Sequence, residues 1–238
     1  MKQAIYRTER AASETNGLLA ALPPDEFLRL QPRLERVHLL THHVLHEADA
    51  IATYAFFPLA GFVSLQAIAP DGATVEVATV GSEGVIGVSI VLGPVRTPYE
   101  AIVQIPGPAL RLSAETLRAE FRRCATLQAL LFRYAHVLLA QTSQSVLCHR
   151  FHTVPQRLSR WLLMVRDHAA DDTLDVTQEW MVRVLGVPRT CISRAASELQ
   201  EAGLVRVHHG HIRILDAARL EAAACECYPI IRAYFDRV

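Results

Sequence analysis

The stretch LGVPRTCISRAASELQEAGLVRV, residues 185 to 207, constrains the fold more than any other part of the chain. Gly186 allows the left-handed backbone of a tight turn, and Pro188 suits the opening of a helix, where its missing N–H is not needed. Beyond it, Ile192, Ala195, Ala196 and Leu199 recur at helical spacing and make one apolar face, with Arg189, Thr190, Ser193, Arg194 and Ser197 on the other. Ahead of the turn, Thr177 is placed to cap a first helix with Trp180, Met181, Val184 and Leu185 inward. Behind it, GLVRVHHGHIRIL alternates around His209 and Gly210 as a hairpin. The predicted unit is a winged helix-turn-helix. Val182 departs from the pattern, standing where such pairs usually keep a small residue.

The second helix offers a short, polar, arginine-bearing face, which a DNA major groove accepts. Arg can grip guanine N7 and O6 with two hydrogen bonds, and Thr can meet a base edge or a thymine methyl. Arg189 and Arg194 are expected to read bases or hold phosphates, Thr190, Ser193 and Ser197 to support them, and Arg206, His208 and His209 of the wing to lie near the DNA backbone. The expected partner is double-stranded DNA. Lys plus Arg equals Asp plus Glu at 24 each, so the argument rests on local charge. Between 183 and 213, Arg183, Arg189, Arg194, Arg206 and Arg213 face only Glu198 and Glu201.

The rest of the chain changes texture twice. A short helix is expected where Pro24 and Asp25 precede Phe27, Leu30 and Leu34. From about 37 to 112, Val, Ile, Phe and Thr clusters are cut by Pro and Gly at short intervals, and APDGA at 69 to 73 has the chemistry of a turn. Many short strands imply a β-roll, so the fold class is α+β. From 114 to 151 turn signals vanish, and a long helix is expected. In it Leu127, Leu131, Tyr134, Leu138, Gln141, Ser145 and Cys148 follow a seven-residue repeat. That stripe either joins two copies of the chain or packs on the chain's own β-roll. The dimer reading takes Leu127, Leu131, Tyr134, Leu138 and Gln141 as the interface. HTVPQRLSRWLLMVRDHA reads as a further helix with Leu158, Trp161, Leu162 and Val165 inward, and ADDT at 170 to 173 as a loop. The expected domains are 1–113, 114–151 and 152–238.

This order of β-roll, long helix and winged helix-turn-helix resembles the cyclic-AMP receptor and FNR superfamily of bacterial transcription regulators across nearly the whole chain. The block EAGLVRVHHGHIRILDAARLEAAACECY is similar to a subgroup whose effector is generally unassigned. The resemblance implies a cyclic-nucleotide-binding-like jelly roll at the amino end. It also implies a homodimer joined through the long helix, DNA reading by Arg189, Thr190 and Arg194, and half-sites about 34 Å apart on a palindromic operator. RNA polymerase is a further candidate partner, although no motif marks the surface.

In the nucleotide-binding relatives a glutamate after a glycine grips the ribose, and an arginine with a serine neutralises the cyclic phosphate. Here Gly84 and Gly87 are present, but Val88 stands at the glutamate position and Tyr99 and Glu100 at the arginine and serine positions. A carboxylate there repels phosphate, and Arg96 lies three residues early. These six residues are the candidate effector pocket, and loss of cyclic-AMP binding is expected. The alternative is a regulator gated by another nucleotide, a cyclic dinucleotide or a metabolite.

No metal or cofactor is expected. The first of five cysteines is Cys124, too late for an amino-terminal iron–sulfur group, and on a helix Cys225 and Cys227 would point apart. Cys191 lies inside the DNA-reading helix, where oxidation would block contact, although a packing role is the expectation. His42, His43 and His46 are read as surface or edge residues. No phosphate loop, nucleophile elbow or HExxH pair is present, which argues against an enzyme. The first residues carry no secretory signal, and no apolar run approaches the ~20 residues of a membrane span, so a cytoplasmic protein is expected.

Overall fold

The structure, a computed structural model, describes residues 15–93, 96–168, 172–208 and 210–235. Two compact units share the described residues: those of 15–65 with those of 79–136, and those of 66–78 with those of 137–235.

The first unit begins with two short helices, α1 (Gly17–Ala20) and α2 (Pro24–Leu30). Asn16 caps α1 and sends its buried amide to the carbonyls of Pro58 and Gly84, at 3.0 and 2.8 Å. Strands β1 (Glu35–Leu39), β2 (Val44–His46), β3 (Tyr54–Pro58), β4 (Phe62–Ile68) and β5 (Thr74–Val80) follow in the chain, residues 66–78 of the β4–β5 hairpin being those grouped with the second unit. After α3 (Ser89–Leu92) come β6 (Glu100–Ile105) and β7 (Gly107–Ser113). They form two sheets, ordered β1-β7-β3 and β2-β6-β4-β5. Ala55, Phe57, Val63, Leu65, Val103 and Leu112 are buried between them. The turn between β4 and β5 is built as its residues require: Gly72 has φ +86°, and Asp71 accepts from the Ala73 amide at 3.0 Å.

Two expectations are corrected here. His46 lies on the edge strand β2 but is buried and not on the surface: its Nε2 lies 2.8 Å from the Tyr54 carbonyl, and burial holds its pKa below the ordinary imidazole value. The long helix is broken into α4 (Ala114–Arg123) and α5 (Ala125–Phe151). Cys124 between them is extended, at φ −111° and ψ 103°. Its thiol accepts from Arg29, a contact across the tertiary fold, at 3.1 Å and lies 3.4 Å from the Glu120 carboxylate one turn back on α4.

The second unit contains α6 (Val154–Arg166), opened by a capping box between Thr153 and Gln156. Its side chains Leu158, Trp161, Leu162 and Val165 are all buried. Strand β8 (Thr173–Asp175) takes in the last residue of the expected loop. Helices α7 (Gln178–Leu185) and α8 (Arg189–Glu201) lead to β9 (Val205–His208) and β10 (His211–Ile214), then to α9 (Ala217–Ala223) and α10 (Cys227–Phe235). The strands form a sheet ordered β8-β10-β9. Helix α6 is the hub of this unit, packed against α7, α8, α9 and α10.

Candidate nucleic-acid interface

The helix pair assembles from local chemistry. The Thr177 hydroxyl accepts from the Trp180 amide at 3.2 Å, closing the start of α7. Gly186 ends it in the left-handed region, at φ 60° and ψ 39°, and its N–H bonds the Val182 carbonyl at 2.9 Å. Val182 itself is half-buried, while Trp180, Met181, Val184 and Leu185 fill the core. Pro188 caps α8 from outside and offers no side-chain cap of its own. Ile192, Ala195, Ala196 and Leu199 pack inward, which fixes the helix's rotation.

That rotation leaves Arg189, Thr190, Arg194 and Ser197 exposed and Ser193 half-buried. The Arg189 Nε donates to Gln178 Oε1 at 3.3 Å, linking the two helices. The Arg194 Nε lies 3.7 Å from Glu198, with both side chains largely exposed. Such a pair holds its arginine weakly. In the wing, Arg206 and His208 are exposed, and His209 lies outside the described residues. Gln200 accepts from the Val207 amide at 2.9 Å and ties wing to α8. Arg213, which the sequence reading counts among the local basic charges but not among the DNA contacts, pairs in register with Arg206 and is likewise exposed. Like charges directly opposite each other on one sheet face repel, and a shared anion relieves the repulsion. The hairpin register was the signal that could have found it.

The β-roll residues separate. Gly84, Gly87 and Val88 are buried, whereas Tyr99 and Glu100 are half-buried. Arg96 turns outward: it donates to the Asp49 carbonyl, lies 3.8 Å from the Asp49 carboxylate, and its side chain is 63% exposed. Burial pushes the Tyr99 phenol up to about 12. Tyr134, fully buried, is raised well above the ordinary value, chiefly by burial and then by Glu83.

The stripe expected at a dimer interface is used inside the chain. Leu127, Leu131, Tyr134, Leu138 and Gln141 are all buried within their own chain. The repeat was real, but periodicity defines a stripe without saying what covers it. A different stripe of α5 stays open: Phe132, Leu139 and Val146 are 51%, 65% and 64% exposed, and His136, Ser143 and Arg150 alternate with them.

The reading of the carboxy-terminal cysteines is also corrected. Cys225 precedes α10 and Cys227 begins it, so the pair does not lie on one helix. Their sulfurs gather with Cys148 and His152, all four donor atoms within 4.8 Å of one another. Hydrogen bonding from Cys225, and further the charge of Arg160, hold the Cys148 thiol below its usual value.

A β-roll, a helix running on as α5 and a winged helix-turn-helix with exposed arginines make an arrangement suited to contact with DNA. Residues 156–223 match the family described as a Crp-like helix-turn-helix domain. Over 215 residues the chain is 21% identical to the CRP-like cAMP-activated global transcriptional regulator of Mycobacterium tuberculosis, covering 87% of this chain and 96% of that one. A crp/fnr-family protein of Eubacterium rectale has a similar fold, with TM-score 0.71 and 17% identity over 87% of this chain and 96% of the other. So has the c-di-GMP-responsive global regulator CLP of Xanthomonas campestris, with TM-score 0.67 and 16% identity over 82% and 100%. The chain therefore carries a match to a Crp-like helix-turn-helix domain over residues 156–223, and its fold is similar to that of solved crp/fnr-family proteins. No helix among the described residues is long and apolar enough to cross a membrane.

Proposed function

We propose that the protein is a homodimeric, sequence-specific regulator that binds a palindromic operator through α8. The exposed face of α8 carries this reading: Arg189, Thr190 and Arg194 project from a helix whose other face is locked into the core. The uncapped first turn of α8 adds backbone amides that suit a phosphate. Arg206 and Arg213 hold the flanking DNA backbone. Dimerisation runs through the open stripe of α5, where Phe132, Leu139 and Val146 recur every seven residues. A DNA partner puts its work in the cytoplasm, and RNA polymerase would be met at the promoter.

The β-roll does not take cyclic AMP in this reading. Val88 supplies no acceptor for a ribose hydroxyl, Glu100 repels a phosphate, and Arg96 is engaged outside with Asp49. A second input remains open to test, because the Tyr99 hydroxyl is buried in the roll and would suit a different nucleotide, a cyclic dinucleotide or a metabolite.

The test is selection from randomised duplex DNA by ligand-free protein at near-physiological salt. Enrichment of a palindrome with half-sites about 34 Å apart is the expected result. Failure to enrich any sequence, with the protein folded and dimeric, assigns control to a ligand of the roll. Enrichment of unpaired half-sites removes the dimeric reading.

A further inference from the structure

Four side chains from distant parts of the second unit converge where α5 ends and α10 begins. Cys148 Sγ lies 3.5 Å from Cys225 Sγ, and Cys227 Sγ lies 3.4 Å from His152 Nδ1. All four donors fall within 4.8 Å of one another, and the three cysteines are buried, free thiols. A zinc ion ~2.3 Å from sulfur and ~2.0–2.1 Å from an imidazole nitrogen makes a tetrahedron with edges of about 3.5–3.8 Å. The two short separations already match those edges, and rotation of side chains by about an ångström closes the others. A disulfide would instead need sulfurs ~2.05 Å apart.

The surrounding residues carry the argument further. His152 Nε2 lies 3.1 Å from the Glu226 carboxylate. That contact keeps the proton on Nε2 and leaves the Nδ1 lone pair facing the sulfurs, the arrangement by which proteins orient a metal-bound histidine. The Gln144 amide donates to Cys227 Sγ at 3.1 Å, as suits a thiolate. Arg157 and Arg160 are 5% and 3% exposed, yet neither forms a salt bridge with a carboxylate among the described residues. Both lie near enough to act electrostatically on Cys148. Three thiolates and a neutral imidazole around a divalent ion leave one net negative charge, which these arginines offset.

From this geometry we propose that Cys148, His152, Cys225 and Cys227 form a closed zinc site that pins α10 to the end of α5. Binding releases the protons of the cysteines that are still thiols, and no electron transfer is involved. Four protein donors leave no open position for catalysis, so the ion's role is to hold structure. Because α10 packs on α6 and α6 on α8, the site braces the scaffold behind the DNA-reading helix.

The test uses the full chain, purified under reducing conditions. Elemental analysis should find one zinc per chain, and cobalt(II) exchanged into the protein should give a thiolate-to-cobalt charge-transfer band with tetrahedral d–d bands. Cys148→Ser and Cys227→Ser should abolish the band, while Cys191→Ser, outside the cluster, keeps it. Glu226→Gln should weaken zinc binding about 10- to 100-fold without loss of fold. Should the serine variants fail to fold, the wild-type cobalt spectrum still decides, since it reports thiolate ligation directly. Reduced, folded wild-type protein that retains no metal and gives no cobalt–thiolate band overturns the proposal. A Cys148–Cys225 disulfide in that preparation, or bound iron with sulfide, does so equally.

Discussion

Tyr134 on α5 and Gly84 in the loop after β5 are packed so closely that a methyl group on Gly84 would overlap the tyrosine ring and hydroxyl. Gly84 is therefore a matter of room, not of backbone freedom. Gly84→Ala should displace the fully buried Tyr134 and cost about 1–3 kcal/mol, as overpacking of a filled core does. Urea denaturation measures it. With Tyr134→Leu in the same chain, the combined loss should be smaller than the sum of the two single losses. Strict additivity would show that the two side chains do not share this space.

Acid should weaken the fold partly through His46. Its folded pKa lies below the unfolded value, so the unfolded chain takes up the proton first as pH falls. The neutral ring's contribution is complete above about pH 6.5 and is lost progressively below it. Protonation would add an N–H at Nδ1, which is buried with no hydrogen-bond partner. His46→Gln should flatten the fall in Tm between about pH 6.5 and 5, and an unchanged slope would assign the acid sensitivity elsewhere.

The two stripes of α5 separate by mutation. Leu139→Glu, on the 65%-exposed position, should shift sedimentation from dimer to monomer with little change in monomer stability. Leu131→Ala, fully buried, should cost about 2–5 kcal/mol of folding free energy instead. Association that survives Leu139→Glu would place the interface on another surface.

The proposed DNA contacts divide into those that would read sequence and those that would grip charge. Arg189→Ala should relax preference at one symmetric base position and cost ~1–3 kcal/mol per half-site. Arg206→Ala and Arg213→Ala should weaken all sequences alike, each lowering the slope of log affinity against log salt by about 1. A site preference left intact by Arg189→Ala would move base reading to Thr190 or Arg194.

The helix pair was legible because its determinants are local: a capping threonine, a glycine at the left-handed turn, and faces separated by helical spacing. The hairpin at 69 to 73 was legible for the same reason. The break at Cys124 was not, since no glycine or proline marks it and the thiol's partner Arg29 lies 95 residues away in sequence. The cysteine cluster was hidden by a similar separation, with Cys148 and Cys225 being 77 residues apart. A local trace did exist. Cys148 and His152 stand at i and i+4, facing the same side of a helix end, and CEC becomes a chelating pair once it is taken off the helix. For α5, the sequence held two seven-residue stripes, and the more hydrophobic one was the chain's own core.

Strand β8 lies ahead of the helix pair, yet it pairs with β10 behind it, and the Val176 amide reaches the Gly210 carbonyl at 3.1 Å. The wing is thereby stitched to the very residues from which α7 starts. Recognition helix and wing consequently form a caliper of preset gauge, not two arms that close separately. A DNA sequence whose local groove width departs from that gauge must itself deform to be held, so the protein should discriminate among operators by flexibility at base pairs that no side chain touches.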